Sequence, residues 1–346
     1  MKTLLKRFAI PFIILFTICL ASSLTLVSCS KNDDEPVPVI TDVYVAGVFN
    51  NKPTLWKNGV ATTLSTTSGY ATSVFVSGND VYVTGNTLVT SGFYTAKVWK
   101  NGIETVLTSG TTNGEAYSVF VSGTDVYVAG YEDNGTTSVA KIWRNGIPTA
   151  LTTGVRTAEA FSVFVSGTDV YVAGYEENAT RRIAKIWKNG IPTALTSGIT
   201  DADANSVFVS GADVYVCGKE LDATVFRFVS KVWKNGVQTA LNNTTTNGYA
   251  KSVFVSGNDV YVASSEDAIP AGIAKIWKNG IATALTNASN YAKANSVYVS
   301  GNDVYVAGKE RNGVQDIAKF WKNGIPISLT DGIIYGEANS IFVTTN

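Results

Sequence analysis

One short unit recurs seven times along this chain at nearly constant spacing, and this repetition constrains the fold more than any other feature. The motif Asp-Val-Tyr-Val occurs seven times, and so does the motif Ser-(Val/Ile)-(Phe/Tyr)-Val. All seven tryptophans follow the same period and lie 43 to 46 residues apart, at Trp56, Trp99, Trp143, Trp187, Trp233, Trp277 and Trp321. Such a period predicts an array of small units that bury their apolar surface against their neighbours.

Each repeat contains four short apolar runs separated by turn signals. In residues 118–151 the runs are 118–121, 125–129, 140–143 and 147–151, which we name strands a, b, c and d. They are rich in Val, Ile, Phe, Tyr and Trp and too short for helices, which indicates β-strands. Asn-Gly lies between strands c and d of all seven repeats. It predicts a type I′ hairpin turn, because both central residues of that turn need a positive φ.

Four antiparallel strands in every period of about 44 residues are typical of a β-propeller blade. Residues 42–346 resemble the bacterial seven-bladed β-propellers, although no WD dipeptide or Asp-box identifies a functional subfamily. We therefore predict an all-β fold, a seven-bladed β-propeller with four antiparallel strands per blade.

The two ends of the repeat region predict how the ring closes. The region starts at Asp42 with a strand b that lacks its strand a, and it stops with a strand a at Ser340 that lacks its strand b. We expect the C-terminal strand to pair in the N-terminal blade. An open solenoid would leave a bare edge at each end and would usually show polar capping repeats. In a closed ring we expect the tryptophans to lie between blades rather than to act as ligand platforms.

Residues 1–28 have the composition of a secretory signal peptide. Three cations in the first seven residues precede an apolar stretch at 8–27. An uncleaved transmembrane anchor is the alternative, since about 20 apolar residues can span a bilayer. The sequence Leu-Val-Ser-Cys ending at Cys29 resembles the bacterial lipobox. That resemblance implies cleavage before Cys29 and lipidation of its sulfur.

Residues 29–41 are predicted to form a flexible tether. Lys31 is followed by three acidic residues and then by two prolines, which resembles the segment after the lipidated cysteine in Bacteroidetes lipoproteins. There the pattern implies export to the cell surface, and a plain solvated linker is the alternative. We expect an outer-membrane lipoprotein at the cell surface, a monomer whose membrane contact is the lipid on Cys29, with the propeller at 42–346.

Composition excludes several classes of function. Lys+Arg and Asp+Glu both number 27, so no excess of positive charge favours nucleic acid as a partner. The chain has no histidine, which removes imidazole as a base, nucleophile or metal ligand. Three cysteines cannot form a disulfide scaffold, and Cys217 takes the place of a small buried alanine in strand b, so we interpret it as a free structural thiol. We expect no cofactor and no metal.

The two faces of the ring differ in sequence. The a–b and c–d turns, Ser-Gly and Asn-Gly, are nearly constant and lie on one face, which we call the turn face. The b–c and d–a connections vary in every repeat and lie on the opposite loop face. This asymmetry fits a binding site on the loop face, and unconstrained drift of the loops is the alternative.

The d–a connections of the loop face supply the candidate ligand-binding residues. They stand three residues and one residue before the Ser of strand a, flank an alanine that is present in all seven repeats, and should surround the mouth of the central channel. The candidates are Tyr70, Glu115, Tyr117, Glu159, Phe161, Asp203, Asn205, Tyr249, Lys251, Lys293, Asn295, Glu337 and Asn339. Aromatic, amide and carboxylate groups suit a sugar or peptide ligand, but they also occur in ordinary hydrated loops.

Two further patterns allow a structural and a functional interpretation. The b–c loops carry a glutamate at one position in five repeats, and strand c carries a lysine, which favours a cross-strand Glu–Lys pair over a functional acidic ring. The alternating oxygen side chains of Asp201, Asp203 and Asn205 resemble the start of a calcium loop. The glycine and the later glutamate of that loop are missing, so calcium remains an open alternative.

These observations lead to one main functional hypothesis and one alternative from another class. The main hypothesis is a surface-anchored, non-catalytic propeller that binds a glycan or protein partner through the loop face. The alternative is a carbohydrate-active enzyme, a hydrolase or lyase, that uses a pair of the loop-face carboxylates Glu115, Glu159, Asp203 and Glu337. A stalk or scaffold without a small ligand is a third possibility.

Overall fold

The computed structural model describes residues 41–267 and 271–345, and the regular elements in these ranges are 28 β-strands. Seven four-stranded antiparallel sheets form the seven blades of a β-propeller. The predicted fold class is confirmed. A search of the described residues found no helix long and apolar enough to cross a bilayer.

The strands follow the chain blade by blade, from the innermost strand a to the outermost strand d. Blade 1 contains β1 (Thr41–Phe49), β2 (Lys52–Lys57), β3 (Val60–Thr63) and, as its strand a, β28 (Gly336–Thr345). Blade 2 contains β4 (Gly69–Ser77), β5 (Asp80–Leu88), β6 (Tyr94–Lys100) and β7 (Ile103–Val106). Blade 3 contains β8 (Gly114–Ser122), β9 (Asp125–Asp133), β10 (Ser138–Arg144) and β11 (Ile147–Ala150). Blade 4 contains β12 (Ala158–Ser166), β13 (Asp169–Glu177), β14 (Arg182–Lys188) and β15 (Ile191–Ala194). Blade 5 contains β16 (Ala202–Ser210), β17 (Asp213–Asp222), β18 (Arg227–Lys234) and β19 (Val237–Ala240). Blade 6 contains β20 (Gly248–Ser256), β21 (Asp259–Glu266), β22 (Ile273–Lys278) and β23 (Ile281–Ala284). Blade 7 contains β24 (Ala292–Ser300), β25 (Asp303–Arg311), β26 (Asp316–Lys322) and β27 (Ile325–Ser328).

The ring closes where the sequence predicts. Strand β28 pairs antiparallel with β1, with Val343 opposite Val43 and Ile341 opposite Val45. The C-terminal strand therefore supplies the innermost strand of the N-terminal blade, and the sheet order is β28-β1-β2-β3.

A circle of hydrogen bonds joins the seven innermost strands. In every blade the backbone N–H after the strand a serine donates to the serine Oγ of the preceding blade, at 3.2 to 3.3 Å. Two of these bonds involve the closing strand, namely Val74 to Ser340 and Ile341 to Ser296. The serine repeats because each copy satisfies a backbone donor of the next blade.

A second circle consists of seven aromatic rings. Neighbouring centroids lie 4.8 to 5.0 Å apart and the rings are tilted by 46 to 54°, which is a favourable arrangement for aromatic pairs. The members are Phe75, Phe120, Phe164, Phe208, Phe254, Tyr298 and Phe342. Phe342 of β28 contacts both Phe75 and Tyr298, so the circle is complete only when the C-terminal strand is in place.

The Asn-Gly turns have the predicted backbone geometry in all seven blades. The asparagines have φ of 50 to 53° and the glycines have φ of 80 to 82°. Each asparagine side chain also ties the turn to strand b. In blade 3, Asn145 Oδ1 accepts from Val126 N at 2.9 Å, and its Nδ2 donates to Asp125 Oδ1 at 2.7 Å. This contact explains why Asn-Gly and Asp-Val-Tyr-Val recur together.

The tryptophans lie between blades, as predicted, and are at most 6% exposed. Trp187 of blade 4, for example, packs in one cluster with Tyr127, Ala129 and Ala140 of blade 3. Burying such a side chain contributes on the order of 4–6 kcal/mol of gross transfer free energy. Cys217 is also buried and free, and burial raises the pKa of its thiol.

The innermost strands extend further toward the loop face than predicted. A β-bulge follows the alanine of strand a, between Ala116 and Ser118 in blade 3, and pairing continues beyond it to Gly114. A Cβ at Gly130, on strand b opposite the bulge, would collide with the carbonyl oxygen of Glu115, which explains the glycine. The candidate residues assigned to d–a loops therefore lie on strand a itself. The glutamates assigned to b–c loops also lie on a strand, since Glu132 belongs to β9.

Candidate functional site

The loop face opens into a cavity of about 450 Å³ at the mouth of the channel. Side chains of all seven blades line it. They are Asn339 of blade 1, Tyr70 and Thr72 of blade 2, Tyr117 of blade 3, Phe161 and Arg182 of blade 4, Asp203, Asn205 and Lys219 of blade 5, Lys251 of blade 6 and Asn295 of blade 7. Eight of these eleven residues are among the thirteen predicted from the sequence.

The other five predicted residues lie beside this cavity. Glu337 lines a second cavity with Tyr70 and Asn339, and Tyr249 and Lys293 line a third with Lys251 and Asn295. Glu115 and Glu159 lie behind tyrosines of the channel mouth and accept hydrogen bonds from them. The bulged strands thus place eight of the predicted residues around one opening and the other five next to it.

Four of the predicted or neighbouring polar side chains have a structural task. The residue just before the strand a serine donates to the backbone oxygen of the bulge alanine in the next blade. The donors are Thr72 to Ala116, Asn205 to Ala250, Asn295 to Ala338 and Asn339 to Ala71, at 2.7 to 2.9 Å. Tyr117, Phe161 and Lys251 occupy the same position and break this pattern.

Glu159 is a half-buried carboxyl group held between two tyrosines. Tyr117 O–H donates to its Oε2 at 3.1 Å, and Tyr175 O–H donates to its Oε1 at 2.8 Å. Burial raises the pKa of Glu159, with the charge of Glu115 acting in the same direction, and this outweighs the tyrosine hydrogen bonds and Arg182. A carboxyl group with a raised pKa retains its proton to higher pH and can act as an acid.

Glu115 lies on the neighbouring blade and has a similar set of donors. Its Oε2 accepts from Tyr70 O–H and from Asn86 Nδ2, the latter at 3.3 Å, and its Oε1 accepts from Tyr131 O–H at 3.2 Å. Burial and the nearby carboxylates raise the pKa of Tyr70, Tyr117 and Tyr131, so these phenols stay protonated and remain donors.

An aromatic wall accompanies the two carboxyl groups. Tyr117 contacts Tyr131 and Phe161 at ring centroid distances of 6.0 and 5.4 Å, and Phe161 contacts Tyr175 at 5.7 Å. The guanidinium of Arg182 lies 4.3 Å from the Tyr175 ring centroid. Aromatic side chains with polar tips offer an apolar surface and hydrogen-bond donors at one place.

The side of the mouth formed by blades 5 to 7 carries cations. Lys219 Nζ lies 3.1 Å from Asp203 Oδ2, and Arg182 lies 3.7 Å from Asp203 Oδ1. Lys251 is exposed within the mouth, and enclosure by protein, with Lys219 and Lys293 nearby, lowers its pKa.

The calcium alternative at Asp201 and Asp203 meets opposing charges. Asp201 pairs with Arg181 at 3.0 Å, and Asp203 pairs with the two cations just described. Among the described residues, no group of three or more Cys, Asp or Glu side chains is arranged to hold a metal ion.

The pKa of Glu337 is shifted in the opposite direction from that of Glu159, although both residues occupy the same position in their blades. Burial opposes its ionisation, but Lys309 Nζ at 2.8 Å outweighs burial and lowers the pKa of Glu337. Tyr335 O–H also donates to Glu337 at 2.7 Å, and Lys309 contacts Asp316 at 2.8 Å as well. Glu337 is therefore a structural anion, whereas burial raises the pKa of Glu159.

The repeated glutamates of strand b form cross-strand ion pairs with the lysines of strand c, as the structural interpretation predicted. The pairs are Glu132–Lys141, Glu176–Lys185, Glu220–Lys231, Glu266–Lys275 and Glu310–Lys319. They are partly exposed, so each contributes little to stability, about 0.2–1 kcal/mol.

Sequence reasoning missed the partners on strand b. Tyr131 faces Glu115, Tyr175 faces Glu159, and Lys219 faces Asp203 across the pair of inner strands. This position follows the strand b glycine and differs between repeats, with Asn86, Ser265 and Lys309 in other blades. This variation could have identified the partners from the sequence. A residue that departs from the repeat on strand b lies opposite a strand a residue and contacts it across the sheet.

Comparison with known proteins shows similarity in fold. The structure of a Mycobacterium tuberculosis puromycin-hydrolysing peptidase matches with a TM-score of 0.52 at 12% identity, over 77% of this chain and 47% of that one. An acylaminoacyl peptidase in complex with Z-Gly-Gly-Phe-chloromethyl ketone matches with a TM-score of 0.50 at 11% identity, over 84% of this chain and 51% of that one. The chain thus spans about half the length of these proteins.

The β-propeller domain of the Trilobed protease from Pyrococcus furiosus also matches, with a TM-score of 0.42 at 9% identity, over 77% of this chain and 96% of that one. No protein-family model matches the chain, and no curated protein matches it.

These neighbours correct the main functional hypothesis. We expected a non-catalytic propeller that binds a glycan or protein partner, whereas the solved structures that share its fold are named as peptidases, which are hydrolases. The prediction of a non-catalytic binding protein is therefore wrong. At 11 to 12% identity the likeness establishes the fold alone, so the reaction must be argued from the site.

Proposed function

We propose that the protein is a carbohydrate-active hydrolase whose acid–base groups are the loop-face carboxyl groups Glu159 and Glu115. The observation that carries the proposal is the pair itself: two carboxyl groups on neighbouring blades, each held by tyrosine hydroxyls at the channel mouth. Cleavage of a glycosidic bond by a pair of carboxyl groups needs no histidine and no metal ion.

Glu159 is assigned the role of general acid. Its raised pKa lets it retain its proton to higher pH than an ordinary glutamate, so it can donate a proton to the leaving-group oxygen. In that form one carboxyl oxygen still accepts from a tyrosine, and the other carries the proton. Tyr117 and Tyr175 hold the carboxyl group in place.

Glu115 is assigned the role of the second carboxylate, as base or nucleophile. Tyr70, Tyr131 and Asn86 donate to it and fix its orientation. Tyr117 and Phe161 of the aromatic wall line the main cavity, whereas Tyr131 and Tyr175 are buried. The two cavity-lining rings support a saccharide substrate, because a sugar ring has an apolar face that packs on aromatic rings while its hydroxyls take polar partners.

Turnover of defined substrates tests this proposal. The protein should release the chromophore from at least one member of a panel of aryl glycosides, or new reducing ends from a polysaccharide panel. Glu159→Gln should lower kcat/KM by about 10²- to 10⁴-fold, the usual contribution of a general acid. Glu132→Gln, in the same propeller region but paired with Lys141 outside the cavity, is the matched control and should leave turnover unchanged.

Two results would count against the proposal. Turnover that survives in both Glu159→Gln and Glu115→Gln would remove the carboxyl groups from the chemistry. Hydrolysis of aminoacyl arylamides with no glycoside turned over would keep a hydrolase but reject the saccharide substrate.

We also propose that the chain is anchored as a lipoprotein through Cys29. Residues 1–40 lie outside the described part, so support comes from the sequence and from where the propeller begins. Strand β1 starts at the turn face, since Asp42 bonds with the Asn58 turn. Residues 29–40 separate Cys29 from this strand, a span of at most about 40 Å when fully extended.

Mass spectrometry of the protein from membranes tests this anchoring. We expect a mature N-terminus at Cys29 with added acyl mass, and we expect Cys29→Ser to leave the membrane fraction. An N-terminus elsewhere, or membrane retention of Cys29→Ser, would show that the anchor is not the lipid.

A further inference from the structure

Charge is divided unevenly around the channel mouth. Glu115 and Glu159 lie on blades 3 and 4, whereas Lys219, Lys251 and Lys293 lie on blades 5, 6 and 7. The carboxyl groups are satisfied by tyrosine donors, so they are not the counterions of these lysines. The cations therefore form a separate half of the same opening.

Lys251 and Lys293 are the two cations of this group that form no ion pair among the described residues. The Lys251 side chain is exposed in the mouth, and within 41–267 and 271–345 no carboxylate lies within 4 Å of its ammonium group. Three sister blades carry asparagine at this position, and each of these asparagines bonds the next blade. Lysine at 251 gives up that structural role, which indicates that its charge serves something else.

The carboxylates on this side do not cancel the positive charge. Asp203 is shared by Lys219 at 3.1 Å and Arg182 at 3.7 Å, and Glu177 lies 3.7 Å from Arg182. Asp267 also lines the cavity that contains Lys293, and Glu266 of that cavity pairs with Lys275 at 2.8 Å. The four cations Arg182, Lys219, Lys251 and Lys293 therefore face the three carboxylates of Asp203, Glu177 and Asp267, which leaves one positive charge. Like charges in a confined opening attract an anion. Enclosure by protein lowers the pKa of Lys251, and the charges of Lys219 and Lys293 act in the same direction, against the opposing charge of Asp203.

We propose that the substrate is an acidic saccharide whose anionic group binds Lys251 and Lys293, with Lys219 beside them, while the sugar extends toward the aromatic wall. Lys251 and Asn295 line both the main cavity and the adjoining one that contains Lys293, so the two openings are continuous at this point. This inference rests on the proposed function and names its substrate class. A carboxylate of a uronic acid and a sulfate ester present the same chemistry to lysine.

Calorimetric binding to full-length Glu159→Gln protein in detergent tests the inference without turnover. The probes are oligogalacturonate, desulfated and sulfated chondroitin oligosaccharides, and neutral galacto-oligosaccharide of equal length. We expect the acidic probes to bind at least tenfold more tightly than the neutral one, and less tightly as salt increases. Comparison of the chondroitin pair distinguishes carboxylate from sulfate.

Substitution of Lys251 tests whether the anionic group of the saccharide binds at this side chain. Lys251→Asn places the side chain of three sister blades in an equivalent backbone, so the fold should be retained, and melting temperature checks this. We expect Lys251→Asn to weaken acidic probes by about tenfold or more and to leave the neutral probe unchanged. Lys188→Met, on the turn face beside Asp169, is the control and should change neither.

The outcomes separate this inference from the proposed function. Equal binding of acidic and neutral probes, or unchanged acidic binding in Lys251→Asn, overturns the anion site. Turnover of neutral glycosides with equal binding keeps the hydrolase and rejects the acidic substrate. Selective binding of acidic probes with no turnover by the wild-type protein keeps the anion site and rejects the hydrolase.

Discussion

Two glutamates at the same position of different blades have opposite pKa shifts because their nearest partners differ. Glu159 faces Tyr175 across the inner strands, and burial raises its pKa. Glu337 contacts Lys309, and that cation lowers its pKa in spite of burial. Lys309 belongs to the neighbouring blade 7, since the cross-strand partner of Glu337 is Val48. The polar group that contacts the carboxyl group, and not its position in the repeat, therefore decides the direction of its pKa shift.

The raised pKa of Glu159 predicts a stability cost at neutral pH. A carboxyl group with a folded-state pKa above the ordinary value of 4.5 binds more protons when folded, so stability falls as pH rises from 4.5 through the raised pKa. Denaturant unfolding of wild type and Glu159→Gln from pH 4 to pH 8 measures this. We expect wild type to lose stability relative to Glu159→Gln over that window, and parallel curves would contradict the assignment.

The lowered pKa of Glu337 predicts that this residue stabilises the protein at neutral pH and loses this effect in acid. Its contribution to stability is present above 4.5 and is lost as pH falls through the lowered pKa. Glu337→Gln leaves Lys309 with Asp316 as its remaining carboxylate, and we expect a loss of about 2–4 kcal/mol at pH 7. The difference from wild type should shrink in acid. A constant difference between pH 7 and pH 3 would show that the ion pair is not its cause.

Among the structural elements, the c–d hairpin is the most regular. Asn145 adopts φ of 53° and its side chain holds Val126 N and Asp125. Backbone strain and side-chain hydrogen bonds can be separated here, because glycine tolerates positive φ without making those bonds.

Substitution at Asn145 tests this division. We expect Asn145→Gly to destabilise the protein by about 0.5–1.5 kcal/mol, the loss of the side-chain bonds, and Asn145→Ala to cost about 1 kcal/mol more because of the positive φ. Denaturant unfolding measures both free energies. If both variants lose the same free energy of unfolding, the positive φ at Asn145 does not add to the cost of the alanine substitution.

The elements also show where sequence reasoning succeeds and where it stops. The strands, the Asn-Gly turns and the closing strand were predictable because each depends on local pattern or on the position of a repeat boundary. The bulge after Ala116 was not predictable, since it depends on pairing with β9, and it moves Glu115 from a loop to a strand. The thirteen site candidates were found because they occupy two fixed positions of the repeat, three residues and one residue before the serine of strand a. Their partners Tyr131 and Tyr175 lie on strand b, and identifying them required the pairing register of strands a and b.

At the scale of the whole molecule, one strand completes three ring-wide features. Strand β28 pairs with β1, supplies Ser340 to Val74 N, and places Phe342 between Phe75 and Tyr298. It also brings Glu337 and Asn339 to the channel mouth. Ring closure and assembly of the site are therefore the same event.

A chain that ends at Tyr335 tests the importance of closure. Without β28 the inner edge of β1 is unpaired and both circles are broken, so we expect no cooperative thermal unfolding transition. A synthetic peptide of residues 336–346 added to the truncated chain should restore the transition. A truncated protein that melts like wild type would show that the ring does not depend on its closing strand.

The pH dependence of turnover by the full-length protein tests the central claim, that Glu159 at the channel mouth is the acid of a hydrolase. On the glycoside turned over fastest in the panel, kcat/KM should fall as pH rises through the raised pKa of Glu159, and Glu159→Gln should lose both the activity and this limb of the profile. No turnover at any pH, or the same falling limb in Glu159→Gln, would contradict the claim.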